Sequence, residues 1–156
     1  MAGRRGAATR AAMVTALVLA LDQVTKAIVR ASVPLGDRDR VLPGVELVHA
    51  RNDGVAFNVL AGGSPLVVVV IAIAVGALVG YFATHLDRPL IWLPTGMLLG
   101  GALGNIVDRV RDGAVTDFIK LPAWPAFNVA DMSITFGVLV LLYVIERPRD
   151  GAARDA

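Results

Sequence analysis

Residues 66–83 form an uninterrupted apolar segment without a charged side chain, preceded by Ser64 and Pro65 and followed by His85, Asp87 and Arg88. The hydrocarbon core of a bilayer is about 30 Å thick and a helix rises about 1.5 Å per residue, so about 20 mostly apolar residues make a spanning helix. Serine and proline suit the N-cap and first position of such a helix. Residues 11–29, 90–107 and 127–145 approach or meet the same length, the last of them apolar except for Asn128, Asp131, Ser133 and Thr135 near its start. With 56% hydrophobic residues and a mean hydropathy of +0.66, these segments predict one integral membrane domain over residues 1–156, with four transmembrane helices.

The first segment is the least apolar, because Asp22, Gln23 and Lys26 stand in its second half. Arg4, Arg5 and Arg10 ahead of it and the small Ala20 within it also fit a cleaved secretory signal. Small residues four apart favour a retained helix: Ala12, Ala16 and Ala20 in the first segment, Ala72, Gly76 and Gly80 in the second, Gly96, Gly100 and Gly104 in the third. Such stripes let helices approach closely inside lipid. They predict a compact bundle.

Four spans place both termini on one side. Seven arginines (Arg4, Arg5, Arg10, Arg88, Arg147, Arg149, Arg154) fall there, against Arg30, Arg38, Arg40, Arg51, Arg109, Arg111 and Lys120 on the other, so the count does not orient the chain. The basic, acid-free flank of the first helix puts the termini in the cytoplasm. Segments 30–65 and 108–126 then face outward.

Segment 31–63 is long for a connection, and long loops are usually functional. Within it, residues 45–50 and 55–59 read as strands around Asn52, Asp53 and Gly54, whose types tolerate positive φ, so a β-hairpin at the membrane surface is expected. On spacing alone Asn52 and Gly54 need only make that turn.

Composition removes several chemistries. The chain has no cysteine, which excludes thiolate nucleophiles, and its two histidines, His49 and His85, are isolated, so no metal site and no cofactor is expected. Fifteen basic residues scattered among thirteen acidic ones make no nucleic-acid footprint.

Carboxylates at membrane depth cost a few kcal/mol or more and need partners. Asp22 and Lys26, four apart with the acid first, can pair on one helical face. Lys26 could equally snorkel from the end of its span. Asp131 lies one turn into the fourth span, three residues after Asn128, a position that suits a helix cap. Asp117 stands a short connection away, and Pro122, Trp124 and Pro125 turn the chain back toward that helix. Two close carboxylates share one proton, so that the charged member activates water and the protonated one polarises a peptide carbonyl. Asp108 competes with Asp117 for a place in the pair, and spacing does not choose between them.

Five short strings carry a resemblance. They are Asp22, Gln23 and Lys26; Asn52, Gly54, Ala56 and Phe57; Gly104, Asn105, Asp108 and Arg109; Val115, Asp117 and Phe118; and Phe127, Asn128, Ala130 and Asp131. In this order on these spans the chain resembles the lipoprotein signal peptidases, or signal peptidase II, from the first span to the fourth. The resemblance implies a catalytic dyad of Asp117 and Asp131, with Asp22, Lys26, Asn52, Gly54, Asn105, Asp108, Arg109 and Asn128 lining or bracing the site. It also implies a four-helix membrane bundle with a small β-cradle and an arm on the outer face of the bacterial inner membrane. The expected enzyme is an aspartic endopeptidase, a monomer among membrane lipid, that cuts diacylglyceryl-modified prolipoproteins just before the lipidated cysteine and is the target of globomycin. The N-terminal end of the fourth helix favours negative charge on Asp131, which leaves the shared proton to Asp117.

Two other readings compete. A proton-coupled transporter would spread Asp22, Lys26, Asp108 and Asp131 along the depth of the bundle as a relay. A scaffold protein would use its acids only to cap helices and pair with arginines.

Overall fold

A computed structural model describes residues 2–53, 64–86 and 88–147. The elements run α1 (Ala2–Ser32), β1 (Arg38–Leu42), β2 (Val45–Asn52), α2 (Ser64–Thr84), α3 (Trp92–Asp112), β3 (Val115–Lys120) and α4 (Val129–Glu146).

The glycines of α3 set the packing. An added Cβ on Gly96 would stand 2.6 Å from Val14 Cβ, and one on Gly100 would stand 2.7 Å from Val18 Cβ, so α1 and α3 touch almost backbone to backbone. On the opposite side of α3, a Cβ on Gly101 would meet Ala130 O at 2.6 Å, which seats α4 equally close. The expected stripe on α3 is thus the bundle's seam. Its expected counterparts are not: Ala12, Ala16 and Ala20 face outward while Ala11, Val14, Thr15 and Val18 meet α3, and Gly76 and Gly80 of α2 have open space before them. A four-residue spacing names a face of a helix without saying which face meets a neighbour.

The surface is apolar where a soluble protein's would be polar. Met13, Leu17, Leu21, Val24 and Ile28 make an exposed stripe on α1, and Phe136, Leu139 and Tyr143 another on α4. Gly3–Ser32 and Val129–Glu146 are each long and apolar enough to cross a membrane, and Val69–Thr84 is a shorter apolar stretch.

The element boundaries depart from the sequence reading in informative ways. The first helix begins at Ala2 instead of residue 11, because alanine and arginine (Ala2, Arg4, Arg5, Ala7, Ala8, Arg10) are good helix formers and outweigh Gly3 and Gly6. The third continues past residue 107 to Asp112 and ends at Gly113 in the left-handed conformation (φ 76°). Asp108 therefore belongs to a helix and not to the connection after it. The fourth helix begins at Val129 behind Asn128, whereas Phe127 is still extended and bridges Ile119.

The sheet has the antiparallel order β1-β2-β3. The strand expected at 45–50 exists and runs on to Asn52, but its neighbours are β1 and β3. Gly54 and the expected strand 55–59 lie outside the described residues. Strand β1, Arg-Asp-Arg-Val-Leu, is exposed throughout; its charges suit an edge strand and hide it from an apolar pattern. In β2–β3, Ala50 lies opposite Asp117 and Asn52 opposite Val115, which brings Asn52 over Asp117.

Candidate active site

Where α1, α3, β3 and the start of α4 meet, the interior is polar. Asp22, Lys26, Asn105, Asp108, Thr116, Asp117 and Asn128 are all buried there. Their hydrogen bonds divide into two connected groups.

The first group centres on Lys26, which is 0% exposed. Its ammonium has three N–H donors and three partners: Asp22 Oδ2 at 2.8 Å, Asp108 Oδ2 at 3.1 Å and Asn105 Oδ1 at 2.9 Å. Lys26 therefore does not snorkel. Asp22 Oδ1 accepts from the Ala130 N–H at 2.9 Å, tying α1 to the first turn of α4. Asp108 accepts from the Thr116 N–H at 3.1 Å and from Gln23 Nε2 at 3.0 Å, and Arg30 NH1 lies 3.8 Å from it. Two carboxylates thus meet two cations, with backbone donors filling the remaining lone pairs, as buried charge requires.

The second group holds Asp117 and Asp131. Asp117 Oδ1 accepts from Asn128 Nδ2 at 2.7 Å and Oδ2 from Asn52 Nδ2 at 3.0 Å. Asp131 Oδ1 accepts from Asn105 Nδ2 at 2.8 Å and Oδ2 from the Asn128 N–H at 3.2 Å. All four carboxylate oxygens therefore have an N–H donor. Asn128 Oδ1 takes the Asp131 N–H at 2.9 Å, completing a capping box, so Asp131 fills the capping role expected of it while its Oδ1 is held toward Asn105.

Asn105 joins the groups. Because Lys26 donates to its Oδ1, its Nδ2 must point the other way, toward Asp131. Arg109 donates to Asn105 O at 3.2 Å and lies near enough to Asp131 and Asp117 to interact with both charges.

Burial pushes the Asp117 carboxyl up to about 6 from the ordinary 3.8, and the nearby charge of Asp131 adds to the rise. Hydrogen bonds from Asn52 and Asn128 and the charge of Lys26 work against it. Asp117 is buried and Asp131 half-buried, so water reaches Asp131 more readily. Asp131 also lines an apolar cavity of about 300 Å³ formed by Leu121, Trp124, Phe127, Met132 and Phe136. Two neighbouring carboxyls, one of them buried with its pKa raised, beside an apolar cavity are suited to hydrolysing a bond in an apolar substrate.

A family model described as signal peptidase (SPase) II matches residues 14–146. The chain belongs to the signal peptidase II family. It is therefore a peptidase, of the aspartyl class. Among similar proteins, the lipoprotein signal peptidase of Moorella thermoacetica is 39% identical over 141 residues, covering 89% of this chain and 94% of its own. That of Syntrophomonas wolfei is 41% identical over 130 residues, covering 83% and 87%. A bacterial membrane enzyme solved by the in meso method at 1.9 Å superposes with a TM-score of 0.79 at 31% identity, over 89% of this chain and 94% of its own.

Of the residues expected at a signal peptidase II site, Asp22, Lys26, Asn52, Asn105, Asp108, Arg109, Asn128, Asp117 and Asp131 converge at this end of the bundle, and Gly54 lies outside the described residues. Asp108 sits with Lys26 and Arg30 and has no hydrogen bond to either aspartate of the second group among the described residues. Sequence reasoning did not place Arg30, Thr116, Met132 or Phe136 at the site. Arg30 was detectable, since Asp22, Lys26 and Arg30 recur every four residues. Thr116 contributes its backbone N–H to Asp108 and an Oγ1 that accepts from Arg30 at 3.0 Å, contacts that depend on how β3 packs against α1 and α3 and leave no composition signal.

Proposed function

We propose that this peptidase is a four-span enzyme of the bacterial inner membrane that removes signal peptides from diacylglyceryl-modified prolipoproteins, cutting before the lipidated cysteine. The observation that carries it is that Asn128 bonds both Asp117 and Asp131, with Asn105 holding Asp131, beside an apolar cavity that Asp131 lines. In this reading α1 to α4 all span, the termini are cytoplasmic, and the sheet with the carboxylates lies at the outer interface, where water meets lipid. The polar network gathers at that one end and α2 carries no charged residue, which argues against a relay through the bundle. In this reading the enzyme works as a monomer.

Asp131 is the charged member, at the positive end of α4, and Asp117 holds the shared proton. Asp131 takes a proton from water as its oxygen attacks the scissile carbonyl carbon, while Asp117 gives its proton to the carbonyl oxygen. In the collapse, the C–N bond breaks, Asp131 passes its proton to the leaving amine, and Asp117 recovers one from a hydroxyl of the diol. The dyad returns to its starting state. Asn105 and Asn128 hold both carboxylates in register, and the acyl chains rest against Met132 and Phe136.

Mass spectrometry of products tests the substrate reading. The expected result is a single cut before the diacylglyceryl cysteine and no cut in the unmodified precursor. Equal cleavage of both forms would contradict it.

A further inference from the structure

The opposite end of the bundle holds a second cavity, of about 510 Å³, lined by Arg4, Arg10, Arg88, Trp92 and the small residues Gly3 and Gly6. Three guanidinium groups face this space, and among the described residues none of them forms an ion pair with a carboxylate. Arg4 donates to Ala83 O at 3.4 Å, and Arg88 NH1 donates to Ile145 O at 3.0 Å and Val144 O at 3.4 Å. Arg88 Nε is buried with no hydrogen-bond partner among the described residues. Arg10 lies over the Trp92 ring, 5.8 Å from its centroid. Each guanidinium offers five N–H donors, so among the described residues most of this capacity is unspent. Three like charges around one cavity repel each other unless an anion joins them.

The position of the cavity identifies the anion. From Arg4 to Asp22 helix α1 rises about 27 Å, close to the hydrocarbon thickness, so this cavity and the carboxylate network stand at opposite faces of the membrane. Arginine and tryptophan are the residues of the headgroup level. One turn deeper than Arg10 the apolar stripe of α1 begins with Met13 and Leu17, 66% and 59% exposed, where acyl chains would lie.

We infer that the cavity bounded by Arg4, Arg10, Arg88 and Trp92 binds the phosphate of an anionic phospholipid in the leaflet opposite the active site. A zwitterionic lipid brings its own cation and fits less well. A basic pocket at helix ends is a recurrent way to hold such headgroups. The inference rests on the membrane-spanning reading above and adds a lipid site to it.

The test uses the full chain, purified and delipidated in non-ionic detergent, with phosphatidylglycerol, phosphatidylcholine or inorganic phosphate added. Native mass spectrometry and thermal unfolding are expected to show retained phosphatidylglycerol and a rise in Tm of several degrees, with little effect of the other two. In Arg4→Gln/Arg10→Gln, phosphatidylglycerol affinity is expected to fall about tenfold or more. The single variant Arg4→Gln, milder for folding, should lose part of it, and Arg5→Gln, outside the cavity, none. Undiminished phosphatidylglycerol binding in the double variant overturns the proposal. Inorganic phosphate matching phosphatidylglycerol overturns the lipid assignment. Prolipoprotein cleavage in the same preparations reports on the proposed function separately, because these arginines lie far from the aspartates.

Discussion

Lys26 is the residue that converts a cluster of acids into an ordered site. Its three bonds neutralise Asp22 and Asp108 and orient Asn105, and through Asn105 they orient Asp131. Replacing it by Met should leave Asp22 without a cation and Asp108 with Arg30 alone, at a cost of about 3–5 kcal/mol, and abolish cleavage. Unfolding and activity measurements on Lys26→Met check both; a stable, active variant would remove Lys26 from this role. Asp117 makes a second prediction. Its carboxyl holds a proton to about pH 6 in the folded protein, against 3.8 as the ordinary value. Between those values the folded state binds more protons than the unfolded one, so stability falls as pH rises through the window and levels off above it. The two-unit gap corresponds to about 3 kcal/mol. Asp117→Asn cannot ionise, so its Tm should improve relative to wild type from about pH 4 to about pH 7; a constant difference across that range would refute the raised Asp117 carboxyl as the cause. The Asp22–Lys26 pair was legible in the sequence because helical spacing is regular. The choice between Asp108 and Asp117 was not, because it depends on Asp108 reaching from α3 to the Thr116 N–H of β3 and on Asn52 reaching from β2 to Asp117.

At the scale of the element, the start of α4 does two jobs with the same atoms. Asn128 caps the helix with its Oδ1 and donates to Asp117 with its Nδ2. Asn128→Ala should lose both, with about 0.5–2 kcal/mol of stability from the cap alone. Asn128→Ser keeps an N-cap but has no amide donor, so thermal unfolding near wild type with cleavage still lost is the expected outcome. Recovery of activity in Asn128→Ser would show that only the cap matters. The apolar helices were readable from hydropathy to within a few residues, except at the N-terminus, where helix α1 starts at Ala2, well before the first apolar turn. Strands β1 and β3 were not readable: one is a charged edge and the other, Val-Thr-Asp-Phe-Ile-Lys, interrupts its apolar alternation with the aspartate that makes the site. The small-residue stripe of α3 was read correctly as a contact face, while those of α1 and α2 were not, since only the fold says which face is occupied.

For the whole molecule, the arrangement is inverted relative to a water-soluble protein, with charges and amides inside one end and leucine, valine and phenylalanine outside. In the proposed function that inversion would let a dyad work at the edge of a bilayer, with the carboxylates held by hydrogen bonds at the polar end and the substrate received at the apolar flank of α4. The lipid site proposed at the other end would then fix the bundle against the far leaflet. The proposed mechanism rests on Asp117 and Asp131, which lie together at one end of this bundle rather than along its depth. Their role is decided by cleavage of a diacylglyceryl-modified prolipoprotein with purified wild type, Asp117→Asn and Asp131→Asn, each shown to be folded by its unfolding transition. Wild type is expected to cleave, and both variants to be folded with no detectable turnover; near-normal cleavage by either folded variant would contradict the dyad and return Asp108 to consideration.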